Sequence, residues 1–493
     1  MAVAILHVIA ALLFGFLGTI SLTACFQATI LDSRGPPLSP GAQIYFPGSE
    51  GFANATSRWS AAVKPGFNAI VRVATEDDVR HTIRYANAHN RPFLAISGGH
   101  GTNAALNLVQ AGIGIWMRGM NSVKIVDDGT AAIIEGGTDS GEVTAALWPQ
   151  GKQTMTLGCD CPGFIAPVLG GGHGWLQGRY GLMADNLISA RMVLANGTAI
   201  TVSETDHADL FWAIRGAGHN FGIVVSVKYR IYDRTAGQDQ WAAAGFTFTH
   251  DKLEKVFAKA NEWLHRPTRP EELTHYPTFV NNPDIDPDRP VIVFWIFWQG
   301  STIPAEYTTP MHALNPVSVM TSVTDLAGMN THLGAAYGLP ACQKGYSHLL
   351  YPISLMEWYV SNLRAVLEIF GSMPRAFSSS VMLLEAYATN RVSEIPNDTT
   401  AYPDRDGKLL LSPLMTYAAN ASLDETAVTI SKKIRYTLLN GTGLPLNAYV
   451  NYAYGDESLQ EIYGHEPWRL EKLRKLKKEF DPHGRFNFYA PIK

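Results

Sequence analysis

The sequence predicts an α+β fold in two lobes, and three observations carry that reading. Short strand-like runs recur at close intervals between residues 69 and 232, with one helix early among them. The composition turns polar over 234–239, and a second series of strands and helices follows it. At roughly 150 residues per domain, 493 residues suffice for more than one buried core. With 46% hydrophobic and 17% charged residues, against roughly 25% charged in an average globular chain, the composition excludes long disorder. Four cysteines in this length exclude a small disulfide-stapled scaffold. Lys plus Arg number 39 against 43 Asp plus Glu, and no long basic run precedes the C-terminal helix, so nucleic acid is excluded as a partner. The 44 glycines, with 21 Phe, 20 Tyr and 11 Trp, suit a site of tight turns and flat walls for a large planar ligand.

In chain order, residues 2–22 contain no Asp, Glu, Lys or Arg, and 8–17 are almost wholly apolar before Thr19, Ser21 and Thr23. This reads as a secretory signal over 1–24, with an uncleaved membrane anchor as the alternative. The run Leu22-Thr-Ala-Cys25 also has the form of a lipoprotein cleavage box. Sequons at Asn54, Asn196, Asn397, Asn420 and Asn440 favour a secreted, glycosylated protein. With Cys25 at the cleavage point, Cys159, Cys161 and Cys342 remain. That odd number invites a covalent or metal role and gives no sign of a disulfide framework.

The Pro- and Gly-rich 35–48 predicts a loop, 69–73 a strand, and 75–90 a helix that Thr75 can cap, with acids in its first turn. The apolar run 93–96 predicts a strand that must turn at 97–101. Further strands are expected at 113–116, 131–135, 188–195 and 222–232, giving hairpins. The second region predicts strands at 241–249, 291–298 and 378–385 and helices at 253–264 and 355–370, a sheet with helices on one side. Residues 449–452 alternate with strand period. Residues 468–480 predict a helix with Leu470, Leu473, Leu476 and Phe480 on one face, its six Lys and Arg forming a solvated face. The organisation is therefore 1–24, 25–235, 236–445 and 446–493.

There is no GxGxxG after a strand, no GxxxxGK[ST], no HExxH and no GxSxG, which counts against Rossmann dehydrogenases, P-loop enzymes, zincins and α/β-hydrolases. Three glycine clusters are present instead: Ser97-Gly-Gly-His-Gly101, Leu169-Gly-Gly-Gly-His-Gly174 and Gly216-Ala-Gly-His-Asn-Phe-Gly222. Backbone N–H groups converging at such turns can hold a diphosphate without lysines.

The stretches 93–101, 169–187 with Asp185-Asn-Leu187, and 211–224 resemble the FAD-binding domain of the vanillyl-alcohol oxidase superfamily (PCMH type). The tail, with Tyr449-Val-Asn-Tyr452 and Phe480-Asp-Pro-His-Gly-Arg-Phe486, is similar to the berberine bridge enzyme-like branch, in the form found in fungal secondary metabolism. The likeness runs in register over roughly 45–493. It implies a two-lobed FAD-binding domain over 25–235, a substrate-binding domain over 236–445, an antiparallel sheet covered by helices, and a segment 446–493 that returns to the FAD domain.

The same resemblance implies FAD bonded covalently through His100, since a neutral imidazole can attack the flavin methyl; the chemistry of the residues alone leaves His173 as an alternative. Counting back from Gly170 puts Cys159 at a second flavin attachment point, with Cys161 two residues on. Pro162 replaces the Val or Leu that relatives often carry where O₂ reaches the flavin. The cofactor contacts implied are Ser97, Gly98, Gly99, Gly101, Gly163, Gly170, Gly171, Gly172, Gly174, Asp185, Asn186, Gly218, Asn220, Gly222, Ile223, Val224 and Asn451, with no metal. Tyr449 and Asn451, two apart on an expected strand, share a face, and Tyr449 is the implied base, with Asn451 beside it and Glu385 as partner acid or base. A phenol near pKa ~10 needs its pKa lowered for that task.

The expected activity is oxidation of a small organic alcohol, amine or C–H centre by hydride transfer to flavin, with O₂ reoxidising the flavin to give H₂O₂. A carbohydrate oxidase, a flavin dehydrogenase with another acceptor and a flavoprotein without turnover are the alternatives. The expected protein is a monomer with no stable membrane partner.

Overall fold

The computed structural model describes residues 35–407 and 409–493; the signal expected over 1–24, with Cys25, lies outside the described residues. A four-stranded sheet opens the fold. Its strands Phe67–Arg72, Gly112–Trp116 and Phe93–Ile96 run parallel, and Gln43–Tyr45 is added antiparallel at one edge, inside the stretch expected to be a loop. Parallel neighbours need a crossover, here the helix Glu76–Ala88, which starts at a capping box between Thr75 and Asp78. Its Val79, Ile83 and Ala86 are fully buried against Val71, Ile113 and Ile115. An antiparallel five-stranded sheet follows, ordered Val123–Val126, Ala131–Glu135, Ile223–Arg230, Leu187–Val193, Ala199–Ser203.

From Trp241 to Ala418 the chain builds an antiparallel sheet of eight strands. Alternation sorts its side chains. Phe246, Phe248, Ile292, Phe294 and Ile296 bury against the helices Leu253–Leu264, Val360–Gly371 and Asp424–Leu439, whereas Trp241, Trp295 and Phe297 face the core of the first part. The sheet is thus covered by helices on one side, leaving its other face to form a site. The C-terminal helix Pro467–Phe480 buries Leu470, Leu473 and Leu476, and the tail beyond it packs Phe486 edge-on to Phe93 at 5.5 Å. No helix among the described residues is long and apolar enough to cross a membrane.

Three local expectations are corrected. The helix expected from 355 begins at Val360, because Ile353–Leu355 pairs with Leu409–Leu411 as a strand. Residues 449–452 form a turn, not a strand, closed by Tyr452 N–H donating to Tyr449 O at 2.9 Å. Cys161 and Cys342, 181 residues apart, form a disulfide, and the odd cysteine left over is Cys159.

Candidate active site

The strand Phe93–Ile96 delivers the chain to the turn 97–101 at the wall of one cavity of about 650 Å³. Gly99 takes a φ of +74°, open to glycine but strained for other residues. At Gly98 a Cβ would meet Cys161 O at 2.6 Å and Gly163 N at 2.7 Å, so the two loops can touch only without a side chain there. Among the described residues, the backbone N–H groups of 98–101 donate to no protein acceptor, and the buried Ser97 Oγ has no partner. Gly222, Ile223 and Val224 continue the wall. Unspent donors around a long cavity fit the diphosphate of a dinucleotide, and the volume lies within the usual ~300–1,000 Å³ of ligand sites.

The second glycine cluster stands behind this wall. Its amides are spent inside the protein: Gly170 N–H on Pro167 O, Gly171 N–H on Val168 O, and Gly172 N–H on the Tyr449 hydroxyl. The backbone of 170–172 and 174 packs so closely on Asn451, Tyr402, Met183 and Thr156 that added side chains would collide. Gly218 packs likewise on Leu169. Asp185 forms a buried ion pair with Arg405 at 2.7 Å and caps the turn at Leu182; Asn186 ties Tyr180, Leu182 and Tyr232. Asn220 fastens Tyr463 and the C-terminal Ala490 and Ile492. These residues shape and brace the wall from outside the cavity.

The two histidines differ. His173 has both ring nitrogens engaged, Nδ1 with Gln177 at 2.9 Å and Nε2 with Tyr402 at 3.0 Å. His100 makes no hydrogen bond among the described residues and stacks on Trp59, which stacks in turn on His348. Burial first, then the cations Lys344 and Arg58, hold the His100 imidazole down at about 3, so its ring is neutral and keeps a lone pair for bonding. Cys159 also lines the cavity, its sulfur 3.5 Å from Cys161 Sγ and 3.9 Å from Cys342 Sγ. Burial pushes its thiol up to about 12. Cys161, expected as a second flavin contact, has its sulfur bound in the disulfide, which excludes a flavin bond while that disulfide is intact.

The same cavity is also lined by the aromatic residues Tyr276, Tyr387, Tyr449 and Tyr452. The Tyr449 hydroxyl accepts from Asn451 Nδ2 at 2.7 Å and Gly172 N–H at 3.1 Å, so Asn451 serves the tyrosine; burial nevertheless pushes the phenol up rather than down. Glu385, 1% exposed, accepts from Tyr452 Oη at 3.1 Å and also bonds Tyr387 and Tyr276. Burial raises its carboxyl to about 7, with the three phenols pulling the other way. Sequence reasoning missed Trp59, Tyr276, Tyr387, His348 and the role of Tyr452. Only Tyr452 carried a local signal, three residues beyond Tyr449 in the same motif.

Residues 67–203 match the FAD binding domain family. An FAD-linked oxidoreductase of Gibberella zeae is 39% identical over 509 residues, covering 97% of this chain and 98% of that one. Another, from Penicillium rubens, is 40% identical over 466 residues and 92% of each chain. Among solved structures, a xylooligosaccharide oxidase from Myceliophthora thermophila in complex with xylobiose superposes with a TM-score of 0.78 at 21% identity, over 92% of this chain and 97% of that one. A glucooligosaccharide oxidase from Acremonium strictum, with 6-S-cysteinyl, 8α-N1-histidyl FAD, gives 0.78 at 20% identity over the same shares. These structural likenesses give the fold.

Proposed function

The chain belongs to the fungal FAD-linked oxidoreductases, of the berberine bridge enzyme-like, PCMH-type fold, and from that premise we propose that it is an oxidase with FAD bonded to His100 and Glu385 as its proton acceptor. One observation carries the reading: a single cavity has the unspent turn 97–101 with a neutral, unbonded imidazole on one wall and the Tyr452–Glu385 pair on another. Ser97 and the N–H groups of 98–101 would hold the diphosphate, and Cys159 is placed to offer a second bond. FAD, when bound there, supplies the two-electron acceptor for the hydride that leaves the substrate carbon.

The protein's own part is proton management. Tyr452 reaches into the cavity with Glu385 behind it, so a substrate hydroxyl or amine proton passes through the Tyr452 hydroxyl to the carboxylate, and a carboxyl held at about 7 can accept it at neutral pH. Tyr449, raised and already accepting two hydrogen bonds, orients the wall. Pro162 lines the cavity beside Gly163, where O₂ would approach.

Purified protein tests this directly. The expected result is a yellow colour that stays with the acid-precipitated protein and is released from the double variant His100→Ala with Cys159→Ser, with peroxide formed in step with substrate oxidised. Glu385→Gln should keep the colour and lose roughly 10²–10⁴ in the rate of anaerobic bleaching. Colour freely released from the natural protein would overturn the His100 bond, and bleaching without peroxide would make it a dehydrogenase.

Secretion is part of the same proposal. Asn54, Asn196, Asn420 and Asn440 are exposed, while Asn397 is half-buried and donates to Glu466 at 3.1 Å. Endoglycosidase treatment should remove mass at up to four of the five sequons, sparing Asn397.

A further inference from the structure

Resting on the reading above as an FAD-dependent oxidase, we propose that the substrate's oxidised carbon carries a hydrocarbon arm and that four strands of the eight-stranded sheet form the bed on which the arm lies. Alternate side chains of those strands face the cavity in register. Thr278 is opposite Leu383, Val381 opposite Leu414, Leu414 opposite Leu350, and Thr416 opposite His348. On the strand Val381–Glu385 this gives one row, Glu385, Leu383, Val381, which spans roughly 13 Å at about 3.3 Å per residue.

Exposure grades along the row. Glu385 is 1% exposed, Leu383 and Val381 are half-buried, and beyond them Ser379 is exposed, as is Tyr346 (43%) at the start of the outer strand. The proton acceptor is therefore at the closed end and the mouth is at the other, so an arm attached to the reacting carbon must lie along the row. Its floor is Leu350, Val381, Leu383 and Leu414. No Lys, Arg or Asp from the sheet lines it. The cavity's two arginines belong to the turn side, where Arg58 donates to Gly101 O and Arg485 to Arg91 O. Thr416 Oγ1 is already engaged by His348 Nδ1 at 3.0 Å.

A sugar bears a hydroxyl on nearly every carbon, and those lying on the four aliphatic side chains would exchange water for nothing, because the polar groups of the bed, Thr278, Thr416 and the unpartnered His348 Nε2, are too few to serve them all. A hydrocarbon arm gains from the same surface, by roughly fourfold in affinity per buried methylene.

The test is binding of 4-alkylphenols, from 4-methylphenol to 4-hexylphenol, to the flavin-loaded protein, read by the perturbation of flavin absorbance. Affinity should rise two- to fourfold with each added methylene, and xylobiose and cellobiose should bind far more weakly than 4-hexylphenol. In Leu414→Asn the ratio of hexyl to methyl affinity should fall at least tenfold; Leu414→Ala, the gentler change, should move it the same way. A coloured protein with affinity flat across the series, or one that prefers xylobiose, overturns the hydrocarbon arm and leaves the oxidase standing. A protein that never carries flavin overturns the oxidase reading and this inference with it.

Discussion

Burial holds the Glu385 carboxyl at about 7 even though Tyr387, Tyr452 and Tyr276 donate to it, and that balance sets a pH dependence. A proton acceptor works only when deprotonated, so the rate of anaerobic flavin reduction should rise with pH through about 7. Tyr452→Phe deletes one donor to the carboxylate. A hydrogen bond to a charged group is worth about 1.5 kcal/mol, so the rise should move to higher pH by about one unit, measured by stopped-flow bleaching across pH. A rise at the same pH in Tyr452→Phe would remove that tyrosine from the relay. At this scale the sequence is partly legible. The turn histidine, the Cys159 position and the carboxylate ending an apolar strand are local signals. Whether a phenol is raised or lowered depends on what buries it, and Tyr449, the expected base, is raised by burial first and by the Glu385 charge, while hydrogen bonds from Asn451, His173 and Gly172 pull the other way.

Between elements, the disulfide makes the largest change to the expected picture. Cys161 lies in the loop that backs the turn 97–101, and Cys342 in a segment that carries Leu333, Ala335 and Pro340 along the cavity. Hydrogen bonds reinforce the same join: Asp160 N–H donates to Ala335 O at 3.0 Å, Asn330 Nδ2 to Asp160 at 2.7 Å, and Trp59 Nε1 to Ala341 O at 2.9 Å. Parity of the cysteine count hides such a pairing, because two partners 181 residues apart leave no spacing to read. The turn 449–453 was misread for a related reason: hydrogen bonds from Tyr452 to Tyr449 and from Ala453 to Val450 bring residues 449 and 451 together as well as a strand would. Leu409–Ala418 is an inner strand although Pro413 lies in its middle, a case where tertiary pairing overrides a local signal against it. A bridge that closes so long a loop stabilises by ~2–4 kcal/mol. Reductant should therefore lower the melting temperature of the natural protein by several degrees and leave the double variant Cys161→Ser with Cys342→Ser unmoved; equal melting of both with and without reductant would remove the bridge from the fold.

Across the whole molecule the cavity is a joint product. Its walls come from the first parallel sheet at 93–101, the stretch 157–169, the antiparallel sheet at 222–224, the eight-stranded sheet, the 333–343 segment, the turn at 449–452 and the tail at 485–489, so no single part of the chain contains the site. The tail is held through one residue far from it in sequence, Asn220: its backbone O accepts from Lys477 Nζ, which also bonds Asp481, and its Oδ1 accepts from Ile492 N–H. A ligand filling such a space binds the folded state alone, and a ligand held only by equilibrium raises stability by RT ln(1 + [L]/Kd), about 2.7 kcal/mol at a hundredfold excess over Kd. If His100 bonds the flavin, the natural protein cannot exchange it, and its melting temperature should be independent of added FAD. The double variant His100→Ala with Cys159→Ser keeps Ser97 and the free N–H groups of 98–101, so it should melt lower and recover several degrees as FAD is added, climbing with the logarithm of the FAD concentration once that exceeds Kd. Melting of that double variant that ignores FAD at every concentration would mean that these surfaces do not form a flavin site, while FAD-dependent melting of the natural protein would mean that they form one without the bond.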